Sequence, residues 1–514
     1  MINSVRILPH KIQTTENVDN VNIVLFATSP NIGTPQRTLG VYRIAHLLRQ
    51  QGFRVKVIDF IYPLLKDHKE HLFLYLTEIC SPHTLFGFST TFFADFINTD
   101  IEENLKVPGW RRGYIQTAIY ENKRVDIDEN LMNLFNFIKH DFDNAKIIMG
   151  GYGAASRPIF NQCPIDHWIM GYAEEFTVST INQILAGDEL PKIINVTSSN
   201  WNFRESGSCF DIEDNIFSGE TLPIELSRGC IFKCKFCSYP LLGRKPEDKY
   251  LKKEDCIFNE MMHNYENFET TNYLMMCDTF NESTHKLLNI NSAMNMFKRE
   301  TGESIRYVAY LRLDLLERFP EQIEILNEMG IKAAHFGIES LNYPSAKSVG
   351  KGLKTEKIYR TLEKCQDAWP SDVILYSGFI IGLPHETKET ATEWCNMLLN
   401  RQIPLTCWKL APLSMEKDIS SNVPYLSEFD QNAENYGYDR SGAEWTNEHW
   451  SFSEAKSFAE EWSQKFIDNK SHSSGHSWNS VVRLSDHLKN GNGKENAKKF
   501  YEKYKNKVFK DIME

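Results

Sequence analysis

Short apolar runs alternate with amphipathic helical stretches along most of this sequence, and that alternation leaves few folds open. From Val21 the residues read VNIVLFATSP, then LGVYRIAHLLRQQGF, then RVKVIDF. A strand, a helix closed by Gly52 and a second strand make a β-α-β unit, and strands joined through helices pair in parallel. The pattern continues with TLFGFSTTFF at 84–93, AKIIMGGYGAA at 145–155 and IDHWIMGYAEEF at 165–176. Open parallel sheets bind ligands at the carboxyl ends of their strands, where Ser89, Thr90, Gly150 and Gly151 fall. Glycines there admit a bulky ligand or merely permit a turn, and spacing alone does not separate the two.

A second series follows a polar stretch at 196–220. Its runs are PIELSRG (223–229), TNYLMMCD (271–278), IRYVAYLRLD (305–314), IKAAHFGIES (331–340), DVILYSGFIIGLP (372–384) and IPLTCWKLAPL (403–413). Helical stretches such as PEQIEILNEMG separate them, opened by Pro320 and closed by Gly330. Six β/α repeats predict a partial (β/α)6 barrel with its chemistry at the carboxyl ends of the strands. The expected α/β organisation is an extension over 1–20, a Rossmann-like (flavodoxin-like) parallel-sheet domain over 21–195, a linker over 196–220, the barrel over 221–413 and a mainly helical segment over 414–514.

The 514 residues are 41% hydrophobic and 24% charged, ordinary for a globular protein. No apolar run approaches the roughly 18 residues that cross a bilayer. The opening MINSVRILPHKIQTTENVDN lacks the apolar segment of a secretory signal, so a cytoplasmic location without a membrane is expected. A net charge of −11 argues against nucleic acid as a partner. The basic KENAKKFYEKYKNKVFK near the end predicts an amphipathic helix with Phe500, Tyr504 and Val508 facing the body. Trp445, Trp450, Trp462 and Trp478 are read as core packing ahead of closure over the barrel mouth. The insertion at 94–135, with VPGWRRGYIQ, is a surface elaboration or a lid.

Residues 226–240, LSRGCIFKCKFCSYP, put Cys230, Cys234 and Cys237 just past the first barrel strand. A structural zinc site needs a fourth ligand, from Cys209 or a histidine. Burial as small hydrophobes conflicts with the interleaved Lys233 and Lys235. Soft thiolates suit an iron–sulfur cluster, in which three cysteines leave one iron of a cubane open.

The spacing C-x-x-x-C-x-aromatic-C, with Phe236 before the last cysteine, resembles the signature of the radical S-adenosylmethionine (SAM) superfamily. MMCDTFNES, YLRLDLL, FGIES, SVGKG and GFIIGLPHET follow in that family's order. The first unit resembles the cobalamin-binding domain that precedes many of its members, in ST after the third strand, GG after the fourth and G-x-x-E-E after the fifth. The likeness covers roughly residues 21–413. It implies a [4Fe–4S] cluster held by Cys230, Cys234 and Cys237, with SAM on the open iron and reductive cleavage to a 5′-deoxyadenosyl radical. It implies Phe236 near the adenine, Glu339 on the ribose, Asp278 and Thr279 near the methionine amino group, and Arg312 on its carboxylate. An internal ion pair lining the barrel is the other reading of Arg312 and Asp278. Electrons would come from a donor such as a flavodoxin or ferredoxin.

Where the family often has D-x-H-x-x-G, this chain has SPNIGTPQRTLG, without histidine. Cobalamin then binds without a protein ligand from that loop, or the domain is only a scaffold. GLPHET departs from the usual wording, and His385 reads as a loop residue. The expected activity is radical SAM chemistry on an unknown substrate. It takes the form of cobalamin-dependent methyl transfer, or of rearrangement, cyclisation or oxidation without cobalamin. A zinc- or cluster-stabilised binding module is the non-enzymatic alternative.

Overall fold

The structure, a computed structural model, describes residues 21–29, 35–90, 96–99, 125–151, 162–171, 173–196, 201–237, 250–415, 426–469 and 493–510. The 1–20 extension, Pro30–Thr34 of the first loop, VPGWRRGYIQ, Trp478 and the start of the basic tail at Arg483 lie outside them.

Two six-stranded sheets carry the molecule. The first contains β1 (Val21–Phe26), β2 (Val55–Ile58) and β3 (Cys80–Ser89). A small antiparallel pair, β4 (Ile97–Thr99) and β5 (Val125–Ile127), stands outside it. The sheet resumes with β6 (Lys146–Gly150), β7 (His167–Gly171) and β8 (Ile193–Val196). Its order is β2-β1-β3-β6-β7-β8 and every pairing is parallel. The chain reverses direction across the sheet between β1 and β3, which is the flavodoxin-like arrangement and its ligand crevice. Strand β8 was not anticipated: its run is four residues with only Val196 buried, too short for periodicity to announce.

Helices cover both faces of this sheet, so its strands read as nearly unbroken apolar runs. Val24, Phe26, Phe86, Phe88, Ile147 and Met149 face one core with Phe500, Tyr501 and Tyr504 of the Gly493–Val508 helix. The expected inward face of the basic tail is thus observed, and what it faces is the first sheet. Ile23, Leu25, Val57, Leu85 and Ile148 face the other core, which runs without a break into the barrel.

The second sheet is β9 (Leu222–Ile224), β10 (Asn272–Met275), β11 (Arg306–Leu311), β12 (Ile331–Glu339), β13 (Ile374–Ile381) and β14 (Cys407–Pro412), all parallel and in sequential order. Among the described residues β9 and β14 do not pair, so the barrel is partial, as the six repeats predict. One side chain in two points to the helices: Tyr307, Ala309, Leu311, Phe336, Leu375, Phe379, Trp408 and Leu410 belong to the main core. The others line the lumen, whose floor is Leu274, Val308 and Ala333 with Met276 and Ile374.

The Phe452–Asp468 helix seals the β14 edge, with Phe466 edge-on to Trp408 at 5.4 Å. Trp445, Trp450 and Trp462 are buried. The Trp445 indole donates to the Leu413 carbonyl (2.9 Å) and Trp450 to that of Glu386 (2.7 Å). Residues 201–220 tie the two sheets together. Arg37, fully buried, donates to both oxygens of Glu220 (2.7 and 3.0 Å) and lies over the Tyr504 ring. Arg49 grips Asp214 in the same way (2.7 and 3.1 Å).

Candidate active site at the barrel mouth

The cysteine loop leaves β9 and is held from several sides. Arg228 donates to Glu225 (2.8 Å) and, with its other arm, to Glu174 (2.5 Å), the first residue of the helix after β7. Its guanidinium also lies over Trp201 and Phe203. One arginine therefore fixes the entry to the loop against the first domain. The far end rests on SVGKG: the Lys235 amide donates to the Val349 carbonyl (3.2 Å), and the Phe429 amide donates to the Lys235 carbonyl (3.0 Å). A Cβ on Gly350 would stand 3.6 Å from the Cys234 Cα, so that segment packs directly beneath the middle cysteine.

Cys230, Cys234 and Cys237 are all half-buried on this loop. The Cys230 Sγ is 3.3 Å from the Thr279 hydroxyl, and an Arg312 arm donates to the Cys234 Sγ at 3.3 Å. Burial raises the Cys230 thiol, opposed by the Thr279 hydrogen bond. Among the described residues no three histidine, cysteine, aspartate or glutamate side chains converge on a single-ion position. A cubane asks for something else, thiolates at separate corners with hydrogen-bond donors beside the sulfurs, and Thr279 and Arg312 are such donors. The donor set fits a [4Fe–4S] cluster.

Arg312 sits at the end of β11. It is forked onto Asp314 (3.0 and 2.7 Å), donates to the Gly350 carbonyl (3.1 Å) and stacks on Phe232, 4.0 Å from the ring centroid. Burial works against its charge, and Asp314 and Cys234 outweigh it. The internal ion pair read for Arg312 and Asp278 is therefore made with Asp314 instead, because a helix begins at Leu313 and turns that carboxylate back toward its own N-cap. Asp278, beside Thr279, is pushed up to about 7 by burial and then by Glu225. Glu339 ends β12 in a left-handed conformation (φ 68°), 3.4 Å from the Lys351 ammonium. Burial raises its carboxyl and Lys351 pulls it back. Phe236 packs against the main core. His385 is an exposed loop residue, as read, but its neighbour Glu386 is fully buried, accepting from the Gly382 amide, Ser340 and Trp394.

In the first sheet the ends of β1, β3, β6 and β7 carry small side chains, Ala27-Thr28-Ser29, Ser89-Thr90, Gly150-Gly151 and Gly171, while the end of β2 carries the buried Asp59 and Phe60. Thr90 closes the β3 end on β6 with its amide (2.8 Å) and hydroxyl (3.0 Å), both donated to the Gly150 carbonyl. A Cβ on Gly150 would meet the Ile169 carbonyl at 3.0 Å, so that glycine answers to the neighbouring strand. Gly151, at φ 107°, makes the turn. Thr28, Ser29 and Thr90 are buried, and Ser89, Gly150, Gly151 and Gly171 are the partly exposed positions of this rim.

Sequence reasoning missed the lumen. Tyr310, His335 and Tyr376 form its middle layer, with rings 4.8 and 4.5 Å apart, and Lys409 stands above on β14. Strict alternation with Trp408 and Leu410 was the available signal.

Residues 224–398 match the family model for the Radical SAM superfamily. The chain thus carries a radical SAM domain, which implies a [4Fe–4S] cluster, SAM and a reductant. As a whole it has the fold of radical SAM enzymes with an N-terminal cobalamin-binding-like domain. The solved structure of the radical SAM methyltransferase TsrM from Kitasatospora setae, with cobalamin and a [4Fe–4S] cluster bound, superposes with a TM-score of 0.54 at 15% identity, over 76% of this chain and 75% of that one. The cobalamin-dependent SAM radical enzyme OxsB, with aqua-cobalamin and SAM bound, gives 0.52 at 13% identity, over 96% and 72%. By sequence the chain is 26% identical over 183 residues to the hopanoid C-2 methylase of Rhodopseudomonas palustris, covering 35% of this chain and 34% of that protein. An uncharacterized methyltransferase of Pyrococcus horikoshii is 23% identical over 275 residues, 48% and 56%. The chain spans about a third and just over half of these two curated relatives. No helix among the described residues is long and apolar enough to cross a membrane.

Proposed function

We propose that the protein is a cobalamin-dependent radical SAM methyltransferase acting on a small organic substrate held in the barrel lumen. The observation that carries this is the loop of three half-buried thiols at the barrel mouth, with the Thr279 hydroxyl beside Cys230 and Arg312 donating to Cys234. When bound, the cluster and SAM supply one-electron cleavage to a 5′-deoxyadenosyl radical, and cobalamin supplies a transferable methyl group.

Cys230, Cys234 and Cys237 hold the cluster. Arg312, stacked on Phe232 and forked onto Asp314, keeps one Nη1 hydrogen and its positive charge beside the cluster loop to draw a carboxylate. Glu339, held by Lys351, accepts from ribose hydroxyls, and Asp278 and Thr279 receive the methionine amino group. Phe236 gives the adenine side an apolar wall. Ser89, Thr90, Gly150 and Gly151 would line the cobalamin site, and the SPNIGTPQRTLG sequence has no histidine to offer the metal. The apolar floor of the lumen excludes water from a reactive carbon centre. A flavodoxin or ferredoxin in a cytoplasmic setting is the electron source of this reading.

Product analysis of anaerobically reconstituted, reduced protein tests it. S-adenosylhomocysteine that forms only when cobalamin is added supports methyl transfer. 5′-Deoxyadenosine alone, unchanged by cobalamin, favours radical chemistry without it.

A further inference from the structure

Residues 336–339 of β12 alternate between two faces. Phe336 and Ile338 point into the helix-side core, which leaves Gly337 and Glu339 on the lumen side. Gly337 has ordinary strand backbone, so its bare Cα answers to space and not to conformation. A Cβ there would stand 2.5 Å from the Lys351 Nζ and 2.9 Å from the Glu339 Oε1. The ion pair of Lys351 with Glu339 therefore lies folded over Gly337, and both side chains are nearly buried. Two further features aim this carboxylate. The β12–β13 register shifts between Gly337 and Glu339, and Glu339 takes its left-handed φ of 68° there. Register breaks re-aim a side chain, and a non-glycine residue keeps such a backbone only where its surroundings over-determine it.

The lysine comes from a segment already committed to the site. The Val349 carbonyl accepts from the Lys235 amide (3.2 Å), the Gly350 carbonyl accepts from Arg312 (3.1 Å), and the Lys351 amide donates to the Ala346 carbonyl (2.8 Å). Three successive residues thus meet the cysteine loop, the arginine at the end of β11 and the glutamate at the end of β12. We propose that Lys351 is a positioning residue for SAM, one that seats the Glu339 carboxylate over Gly337 through Oε1 and so presents Oε2 to the ribose hydroxyls. This rests on the proposed function above, in which Glu339 takes the ribose, and adds the residue that aims it. A carboxylate accepts through both oxygens, so an ammonium on one does not displace a hydroxyl from the other. Burial works against the charge of Glu339 and Lys351 pulls it back, which keeps the stronger, charged acceptor facing the ribose.

The test is binding of SAM and of its 2′,3′-dideoxy analogue to the reconstituted full-length protein, read by calorimetry with the cluster left oxidised so that nothing is cleaved. Glu339→Gln and Lys351→Met should each weaken SAM by about tenfold, and Lys351→Arg should restore most of the loss. The double variant should be little weaker than either single one, because both remove the same contact. The dideoxy analogue, which has no hydroxyls for Glu339, should bind wild type and Lys351→Met within about twofold of each other. Gly337→Ala displaces only the flexible end of Lys351 and a carboxylate oxygen. It should keep a melting temperature within about two degrees of wild type and still weaken SAM, which covers the case of a Lys351→Met protein that does not fold. SAM binding that Glu339→Gln weakens and that neither Lys351→Met nor Gly337→Ala alters would overturn the assignment, and so would additive losses or an equal loss for the dideoxy analogue. Wild-type affinity in Glu339→Gln would instead sink the ribose reading of Glu339 on which the assignment rests. None of these readouts needs cobalamin or turnover, so each is distinct from failure of the methyltransferase reading.

Discussion

The two six-stranded sheets are built from the same parts and end in opposite kinds of edge. Both are wholly parallel. The first sheet reverses direction between β1 and β3 and is covered on both faces, and the described rim of its carboxyl ends carries small side chains beside the buried Asp59 and Phe60. The second runs in sequential order and curls, so that one face becomes a lumen, and its rim carries Cys230, Cys234, Asp278, Arg312 and Glu339. Strand order thus decides whether a parallel sheet offers a rim or a chamber, and the side chains differ with it: small ones and bare backbone on the first, charge and thiols on the second.

The comparison can be broken most severely at the cluster loop. Cys230→Ala, Cys234→Ala or Cys237→Ala should each abolish SAM cleavage, while leaving the near-UV circular dichroism of the protein close to wild type. The join between the sheets comes next. Arg228→Gln leaves Glu174 and Glu225 facing each other without their cation, and removing one partner of a largely buried pair costs about 3 kcal/mol. Chemical unfolding should report that loss, and the spectrum of the reconstituted cluster should change with it.

A paired glycine experiment sharpens the contrast. Gly171, at φ 104°, would thrust a Cβ to 2.4 Å from the Val196 carbonyl, so Gly171→Ala should destabilise the protein by about 2 kcal/mol. Gly378→Ala, which meets only an imidazole at 3.8 Å, should unfold within about 0.5 kcal/mol of wild type and still impair turnover by narrowing the lumen.

The smallest expected effect is on the pH profile. Burial, only partly offset by its hydrogen bonds, pushes the Glu386 carboxyl up to about 7. A carboxyl raised on folding contributes stability that is present below its unfolded pKa and is lost as pH rises through the folded one. Melting temperature should fall by a few degrees between about pH 5 and 8, and Glu386→Gln should flatten that slope. An unchanged slope would mean that Glu386 keeps its usual carboxylate range.

Much of this was legible beforehand, for reasons that differ by region. Apolar runs such as VNIVLF and RYVAYL announce buried parallel strands, and the cysteine spacing announces a soft-metal site wherever it falls. The clasp between the Asp59 amide and the Tyr504 hydroxyl (2.9 Å) was not legible, because it joins residues 445 apart and periodicity reports only local structure. Residues 196–220 read as a polar linker because two of their charges, Asp214 and Glu220, find partners only when Arg49 and Arg37 arrive from the first sheet's side of the molecule. Lys409 was passed over for a related reason. When both faces of a strand are buried the apolar pattern fills every position, and a lone lysine in CWKLAP reads as an interruption until the helix-covered face is known.

The central claim is that Cys230, Cys234 and Cys237 carry a four-iron cluster with one corner open to SAM. Electron paramagnetic resonance of the dithionite-reduced, reconstituted protein, recorded with and without SAM alongside iron and sulfide analysis, tests it most directly. The expected result is a reduced four-iron signal that changes shape when SAM is added and is missing from Cys234→Ala. One equivalent of zinc without sulfide, or a cluster signal that Cys234→Ala retains and SAM does not perturb, would contradict it.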